Sequence, residues 1–326
     1  MQYEAAIQVS ILCTVYNHEA YLRQCLDGFV MQQTRFRYEA IVHDDVSTDG
    51  SVAIIREYAE KYPDIIVPIY DAENQYSKHD GSLWRIMMEK AKGRYIAFCE
   101  GDDYWIDCGK LQRQFDLMEK HPEYTICFHR VGVVTVNDNP AKETCPRRYG
   151  TLWSKEEVTL YDYLKELCYN NNFTYQLSSY FIRRFYMEQY VSCQTSLFCD
   201  FPYGDVPMAL SALFQGKGSC IQHVMSHYRE LSGGYTSSMW MNLEKRLAIE
   251  SKECLAYSRI DVYLNNKYHA IIKYRILRNE LNEHSLYNKK KLVQFRPKYW
   301  CLLKFQSFRC NLSYFIKGLL QIIKSK

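Results

Sequence analysis

Four short runs rich in β-branched and aromatic residues constrain this chain more than anything else in it: "IQVSILC" (7–13), "YEAIVH" (38–43), "IIVPIY" (65–70) and "RYIAFC" (94–99). Each has strand character. Between them the apolar residues change to helical spacing. Tyr21, Leu22, Cys25, Leu26, Phe29 and Val30 form one stripe, and Val52, Ile55, Tyr58, Ala59 and Tyr62 another, with Asp49 placed to cap the second helix. Strand, helix, strand, helix, strand predicts a doubly wound α/β sheet. Ligands of such sheets collect outside the carboxyl ends of the strands, so the segments after each strand hold the candidate site.

Those segments are "TVYNHE" (14–19), "DDVSTDGS" (44–51) and "CEGDDYW" (99–105). The last puts Glu100, Asp102 and Asp103 within four positions. Carboxylates crowded at a strand end repel one another and resist desolvation, so their partner is a cation, a cationic group or water. Neither GxxxxGK[ST] nor GxGxxG occurs in the chain, which argues against a glycine-rich phosphate cradle. Acidic loops suit the N–H of a base and the hydroxyls of a ribose instead. A divalent cation held by one or two carboxylates would then meet a diphosphate.

Residues 111–121 predict a further helix and 124–136 a further strand; 150–235 is mixed. From about 240 the chain reads as helical and aromatic. Residues 236–326 carry 18 Lys and Arg against 6 Asp and Glu, so this basic region is expected to face something anionic. Leu312, Phe315, Ile316, Leu319, Leu320 and Ile323 fall on one helical stripe beside Lys317, Lys324 and Lys326. That stripe suits either a membrane-surface helix or packing on the protein or on a second copy. The thirteen cysteines form no CxxC pair and predict buried thiols in a reducing compartment. No leader and no uninterrupted apolar run of about 18 residues is seen, which predicts a cytoplasmic protein or one peripheral on the inner face of a membrane. His223 and His227 are four apart, but "CIQHVMSHY" alternates like a strand, so a zinc pair is not expected.

The stretches "VSILCTVYNHEAYLRQCLDGFVMQQ", "EAIVHDDVSTDGS" and "KGRYIAFCEGDDYW" followed by "KLQRQFD" together resemble the nucleotide-sugar half of family 2 glycosyltransferases, over about residues 7–235. The resemblance implies a GT-A fold, with a nucleotide half over about 1–125, an acceptor half over about 126–235, and a helical basic region over 236–326. It implies an inverting transfer from a nucleoside-diphosphate sugar, most readily a UDP-sugar, to a hydroxyl of a glycan or lipid-linked saccharide. Carried over by position, Thr14 and Tyr16 lie against the base, Asp45 holds its N–H, and Asp102 contacts the ribose. Asp103 ligates Mn2+ or Mg2+. "YGDVPMALSAL" resembles the acceptor-side motif and makes Asp205 the general base, although a carboxylate opening a helix is also what a cap looks like. In "VMSHYRELSGG", Arg229 matches a residue that would neutralise phosphate. The family's following His falls on Leu231. Lys78 is placed to meet the diphosphate.

Two departures stand out. The first acid of the metal motif is Glu100, whose role is left open. Val46 replaces a frequent glycine, and a β-branched residue there predicts a loop of different conformation. The rival readings are a metal-dependent nucleotidyltransferase, which lacks a basic glycine-rich loop for a triphosphate, and a protein binding anionic lipid or nucleic acid through its basic tail.

Overall fold

The computed structural model describes residues 6–139, 152–170, 175–231 and 242–287. They form two compact units that are not consecutive in sequence. The first holds residues up to 160, 172–196 and 203–232. The second gathers 161–171, 197–202 and the chain from 233 onward. Those two early segments had not been expected to join the helical region.

The first unit is built on a sheet. In chain order its elements are β1 (Ile7–Val15), α1 (Glu19–Val30), β2 (Arg37–Asp44), α2 (Ser51–Lys61), β3 (Ile66–Tyr70), α3 (Ser82–Lys90), β4 (Tyr95–Phe98), β5 (Tyr104–Trp105), α4 (Lys110–Lys120) and β6 (Tyr124–Thr135). Then follow β7 (Glu157–Val158), the start of α5 (Leu160–Lys165), β8 (Phe181–Arg183), α6 (Arg184–Cys193), α7 (Asp205–Leu213) and β9 (Lys217–Glu230). The strand order is β3-β2-β1-β4-β8-β6-β9-β5, with β7 on β9. The first four strands are mutually parallel, and so are β6 and β9. β8 runs antiparallel to β4 and β6, and β5 and β7 antiparallel to β9. The fold is thus the expected α/β architecture with a mostly parallel sheet.

β1 is buried along nearly its whole length because helices cover both faces. Its apolar side chains pack with Leu22, Leu26 and Phe29 of α1 and Ile54, Ile55 and Tyr58 of α2. Trp105 closes this core, edge-on to Phe29 at 5.0 Å, with its indole N–H donating to Ser178 O at 3.2 Å. Register then sets the site. Val15 lies opposite Asp44, and Leu12 opposite Phe98, so β1, β2 and β4 deliver their carboxyl ends to one edge.

The second unit contains the remainder of α5 with a π-turn (Glu166–Asn170), α8 (Leu243–Tyr263) and α9 (His269–Tyr287). Its centre is a buried ion pair: Arg275 meets Glu253 at 2.6 Å, and Asn279 Nδ2 donates to the same carboxylate oxygen at 2.8 Å. A buried carboxylate keeps its charge only with such partners. No helix among the described residues is long and apolar enough to cross a membrane. The basic stripe 312–326 lies outside the described residues.

Candidate active site

Two loops at the sheet edge are tied together by reciprocal bonds. Asp49 Oδ2 accepts the Glu19 N–H and Glu19 Oε2 accepts the Gly50 N–H, both at 2.9 Å. Ser47 Oγ and Ser51 Oγ accept the N–H groups of Asn17 and His18, while Asn17 Oδ1 accepts the Thr48 N–H. The helix starts of α1 and α2 thereby satisfy each other's free donors. Asp49 does serve α2, accepting the Ser51 N–H at 3.0 Å, but from one position before the cap, which Gly50 occupies.

In this frame Thr14 is half-buried, its carbonyl accepting the Gly101 N–H at 3.0 Å, and Tyr16 is 51% exposed. Asp45 is buried, and its two oxygens accept the N–H groups of Gln75 (2.6 Å) and Tyr76 (3.0 Å). Those bonds hold residues 73–78 against the end of β2 and present the Tyr76 ring, 52% exposed, on the same edge as Tyr16. Val46 has φ +68°. The different loop expected from its β-branched side chain is not seen: the loop keeps a left-handed residue, and valine bears the strain.

The acidic turn continues the sheet ladder, with Cys99 N–H donating to Leu12 O, Gly101 N–H to Thr14 O and Asp103 N–H back to Glu100 O. A Cβ on Gly101 would lie 2.7 Å from His18 Nδ1, so only glycine lets the imidazole lie over this turn. His18 Nε2 is 4.0 Å from Asp102 Oδ2, and its buried Nδ1 has no hydrogen-bond partner among the described residues.

The two neighbouring aspartates differ. The Asp102 side chain is 25% exposed. Asp103 is 2% exposed, and its Oδ1 accepts the Arg229 N–H at 2.9 Å. Burial, then Asp102 and Glu100, push the Asp103 carboxyl well above the usual range, and the Arg229 N–H pulls it back. Glu100 is pushed up to about 8 by burial first, then by Asp102 and Asp205. Asp205 opens α7, where its Oδ1 accepts the Val206 N–H at 2.8 Å, and burial lifts it to about 6. Asp102 and Asp205 thus both raise the Glu100 carboxyl, and carboxylate oxygens are the ligand type that a hard cation takes.

The two expected phosphate cations are engaged by protein. Arg229 is buried, with Nε donating to Asp102 O (3.0 Å), and its terminal nitrogens donating to Asp138 Oδ1 and Gln24 Oε1 (2.6 Å each). Tyr21 and Tyr104 flank its guanidinium. Lys78 meets Glu73 at 2.6 Å and Gln75 Oε1 at 3.0 Å. His227, read as strand, stacks edge-on against Tyr104, and His223 points to Asp107.

Several residues here escaped the sequence reading. Asp44 Oδ1 is buried and has no hydrogen-bond partner among the described residues. His43, Asp45 and Asp71 bring ligand-type atoms within 4.8 Å of one another, although His43 Nε2 already pairs with Asp71 at 2.7 Å. His18 lay in the quoted "TVYNHE" without a role, and its spacing gave no signal.

Residues 10–190 match the profile described as Glycosyl transferase family 2. The chain belongs to this family. An uncharacterised protein of Mycobacterium tuberculosis is 44% identical over 126 residues, 39% of this chain and 36% of that protein. The putative teichuronic acid biosynthesis glycosyltransferase TuaG of Bacillus subtilis is 34% identical over 110 residues, 34% of this chain and 41% of TuaG. The chain thus spans well under half the length of these relatives. The fold of this family 2 member is also that of S. aureus TarS 1-349 in complex with UDP-GlcNAc. That likeness has a TM-score of 0.59 at 15% identity, covering 90% of this chain and 78% of that one. The mannosyltransferase PcManGT of Pyrobaculum calidifontis, in complex with GDP-Man and Mn2+, matches with a TM-score of 0.54 at 14% identity, covering 94% and 88%.

Proposed function

We propose that this protein is a metal-dependent, inverting glycosyltransferase that moves a sugar from a nucleoside diphosphate, in first place UDP, to a hydroxyl of a glycan or lipid-linked saccharide. One observation carries the reading: the acidic turn after β4 is fixed beside the end of β1, its Gly101 N–H donating to Thr14 O at 3.0 Å, with the Asp102 side chain 25% exposed there. The family supplies the chemistry, and neighbours of the same fold bind UDP-GlcNAc, or GDP-Man with Mn2+.

In this reading Thr14 and Tyr16 line the base end, and Asp45 accepts from the base through the lone pairs its loop bonds leave free. Asp102, the open member of the pair, takes both the ribose side and the cation, with Glu100 beside it. Asp103, the expected cation ligand, is buried and its Oδ1 accepts the Arg229 N–H, so in this reading the cation shifts to Asp102 and Asp103 is left to hold the turn. Bound Mn2+ or Mg2+ supplies positive charge to the departing diphosphate. The acceptor hydroxyl oxygen forms a bond to the anomeric carbon as the bond from that carbon to the diphosphate oxygen breaks, and Asp205 takes the hydroxyl proton. Arg229 and Lys78 are already paired, so donor binding depends on the cation.

The test is thermal stabilisation by a panel of nucleotide sugars with and without Mn2+, followed by transfer assays. Asp102→Asn should lose the Mn2+-dependent stabilisation. Asp205→Asn should keep it and lose transfer; full transfer by Asp205→Asn overturns the assignment of the base.

A further inference from the structure

His18 lies beside the acidic turn with no task in the reading above. It opens α1, where its carbonyl accepts the Tyr21 and Leu22 N–H groups at 2.9 Å, and its own N–H donates to Ser51 Oγ at 3.0 Å. These bonds to α1 and to the start of α2 fix where the ring can reach. The side chain is 19% exposed, and its Nε2 lies 4.0 Å from Oδ2 of Asp102, itself 25% exposed. That separation exceeds a direct hydrogen bond.

The buried side of the ring decides where its proton is. Nδ1 is buried and has no hydrogen-bond partner among the described residues. A Cβ on Gly101 would lie 2.7 Å from it, so the Cα–H that takes that direction in glycine faces the nitrogen. A C–H facing a ring nitrogen suits a lone pair and opposes an N–H. A buried donor left without an acceptor is also the rarer and costlier orphan. In the neutral imidazole the single proton therefore sits on Nε2, on the Asp102 side. The same tautomer argues against His18 as a ligand of the cation, because a metal on Nε2 would put the proton on Nδ1, where no acceptor receives it.

The Nε2–H and Asp102 Oδ2 thus present a donor and an acceptor across a 4.0 Å gap. An oxygen about 2.8 Å from each would subtend about 90°, an angle that a group able both to accept and to donate can span. A phosphate oxygen only accepts and is repelled by Asp102, a base N–H only donates, and a cation cannot accept. A hydroxyl does both. We infer that His18 and Asp102 together bind one hydroxyl of the donor's ribose, with His18 Nε2–H donating to the hydroxyl oxygen and Asp102 Oδ2 accepting from the hydroxyl. This inference rests on the nucleotide-sugar reading. The ribose is the source because His18 lies two residues beyond Tyr16, on the loop that lines the base end in that reading. Asp102 then divides its oxygens, Oδ2 to the hydroxyl and Oδ1 to the cation, and His18 makes the site selective for ribonucleotides.

The test titrates UDP and GDP, their 2′-deoxy and 3′-deoxy forms, and the esters UDP-GlcNAc and GDP-mannose, each with Mn2+ present. Wild type should bind its ribonucleotide about 10-fold or more tightly than one of the two deoxy forms. His18→Ala should weaken the ribonucleotide by about 3- to 10-fold and leave that deoxy form within about twofold of wild type, since the lost bond exists only with the hydroxyl. His18→Gln offers an amide N–H in place of the imidazole donor and should recover part of the discrimination, which a packing role would not restore. It also carries the test if His18→Ala fails to fold. Equal affinity of wild type for ribo and deoxy forms overturns the inference, as does a parallel loss for both forms in the two variants. A loss of Mn2+ affinity by His18→Ala without nucleotide overturns it in favour of a cation ligand, and a loss confined to the sugar esters overturns the choice of ribose. Failure of wild type to bind any of these nucleotides overturns the nucleotide-sugar reading itself.

Discussion

Asp205 carries opposite demands. Its carboxyl is lifted to about 6 by burial, so the native chain holds this proton more tightly than the unfolded chain does. Stability from this group is greatest at acid pH and is lost as pH rises from about 4 through about 6. Asp205→Asn should therefore be more stable than wild type at pH 8, by up to about 3 kcal/mol. The gain should vanish near pH 4, which denaturant titrations at the two pH values measure. Wild-type transfer should rise with pH through about 6 as the base loses its proton. Val46 carries a second such cost. With φ +68° it occupies a region that β-branched residues avoid, and Val46→Gly should raise stability by up to about 1 kcal/mol in urea unfolding, after the extra freedom of the unfolded glycine is set against the relieved strain. The sequence showed that the glycine was missing; it could not show that neighbouring loops hold the strained conformation regardless, through Asp44 accepting the Ser47 N–H and Asn17 accepting the Thr48 N–H.

Among elements, the long parallel strands were legible and the short antiparallel ones were not. β1, β2 and β4 announce themselves as continuous apolar runs because both of their faces are covered. β5 and β7 have two residues each and β8 has three, too few for any periodicity to register. Yet β5 fixes the acidic turn: Tyr104 pairs with His227 and Trp105 with Ser226 on β9. From that strand Arg229 reaches back to Asp102, Asp138 and Gln24. The bond between the Arg229 N–H and Asp103 spans 126 residues, and no local pattern encodes it, so the sequence could not show that Asp103 is the buried member of the aspartate pair. Arg229→Lys keeps the charge and loses the planar fork. It should cost about 1–3 kcal/mol and weaken Mn2+-dependent stabilisation by UDP-GlcNAc, both readable in one set of melting curves.

Over the whole chain, the second unit resumes at residue 233, and composition gave no hint that residues 161–171 and 197–202 would join it. These segments are short, and their apolar residues look like those of any core. Within that unit Arg275 bonds to the Leu167 carbonyl, Tyr169 lies against Tyr274, and Phe201 packs edge-on to Tyr257. A chain ended at residue 241 should thus lose more than its tail. With Leu167, Cys168 and Phe198 deprived of cover, it should sediment as aggregate where the full chain stays monodisperse. The same arrangement bears on synthesis. A growing polypeptide emerges amino end first, so these two segments leave the ribosome well before α8 and α9 exist to receive them, and the unit can close only after translation has passed Tyr287.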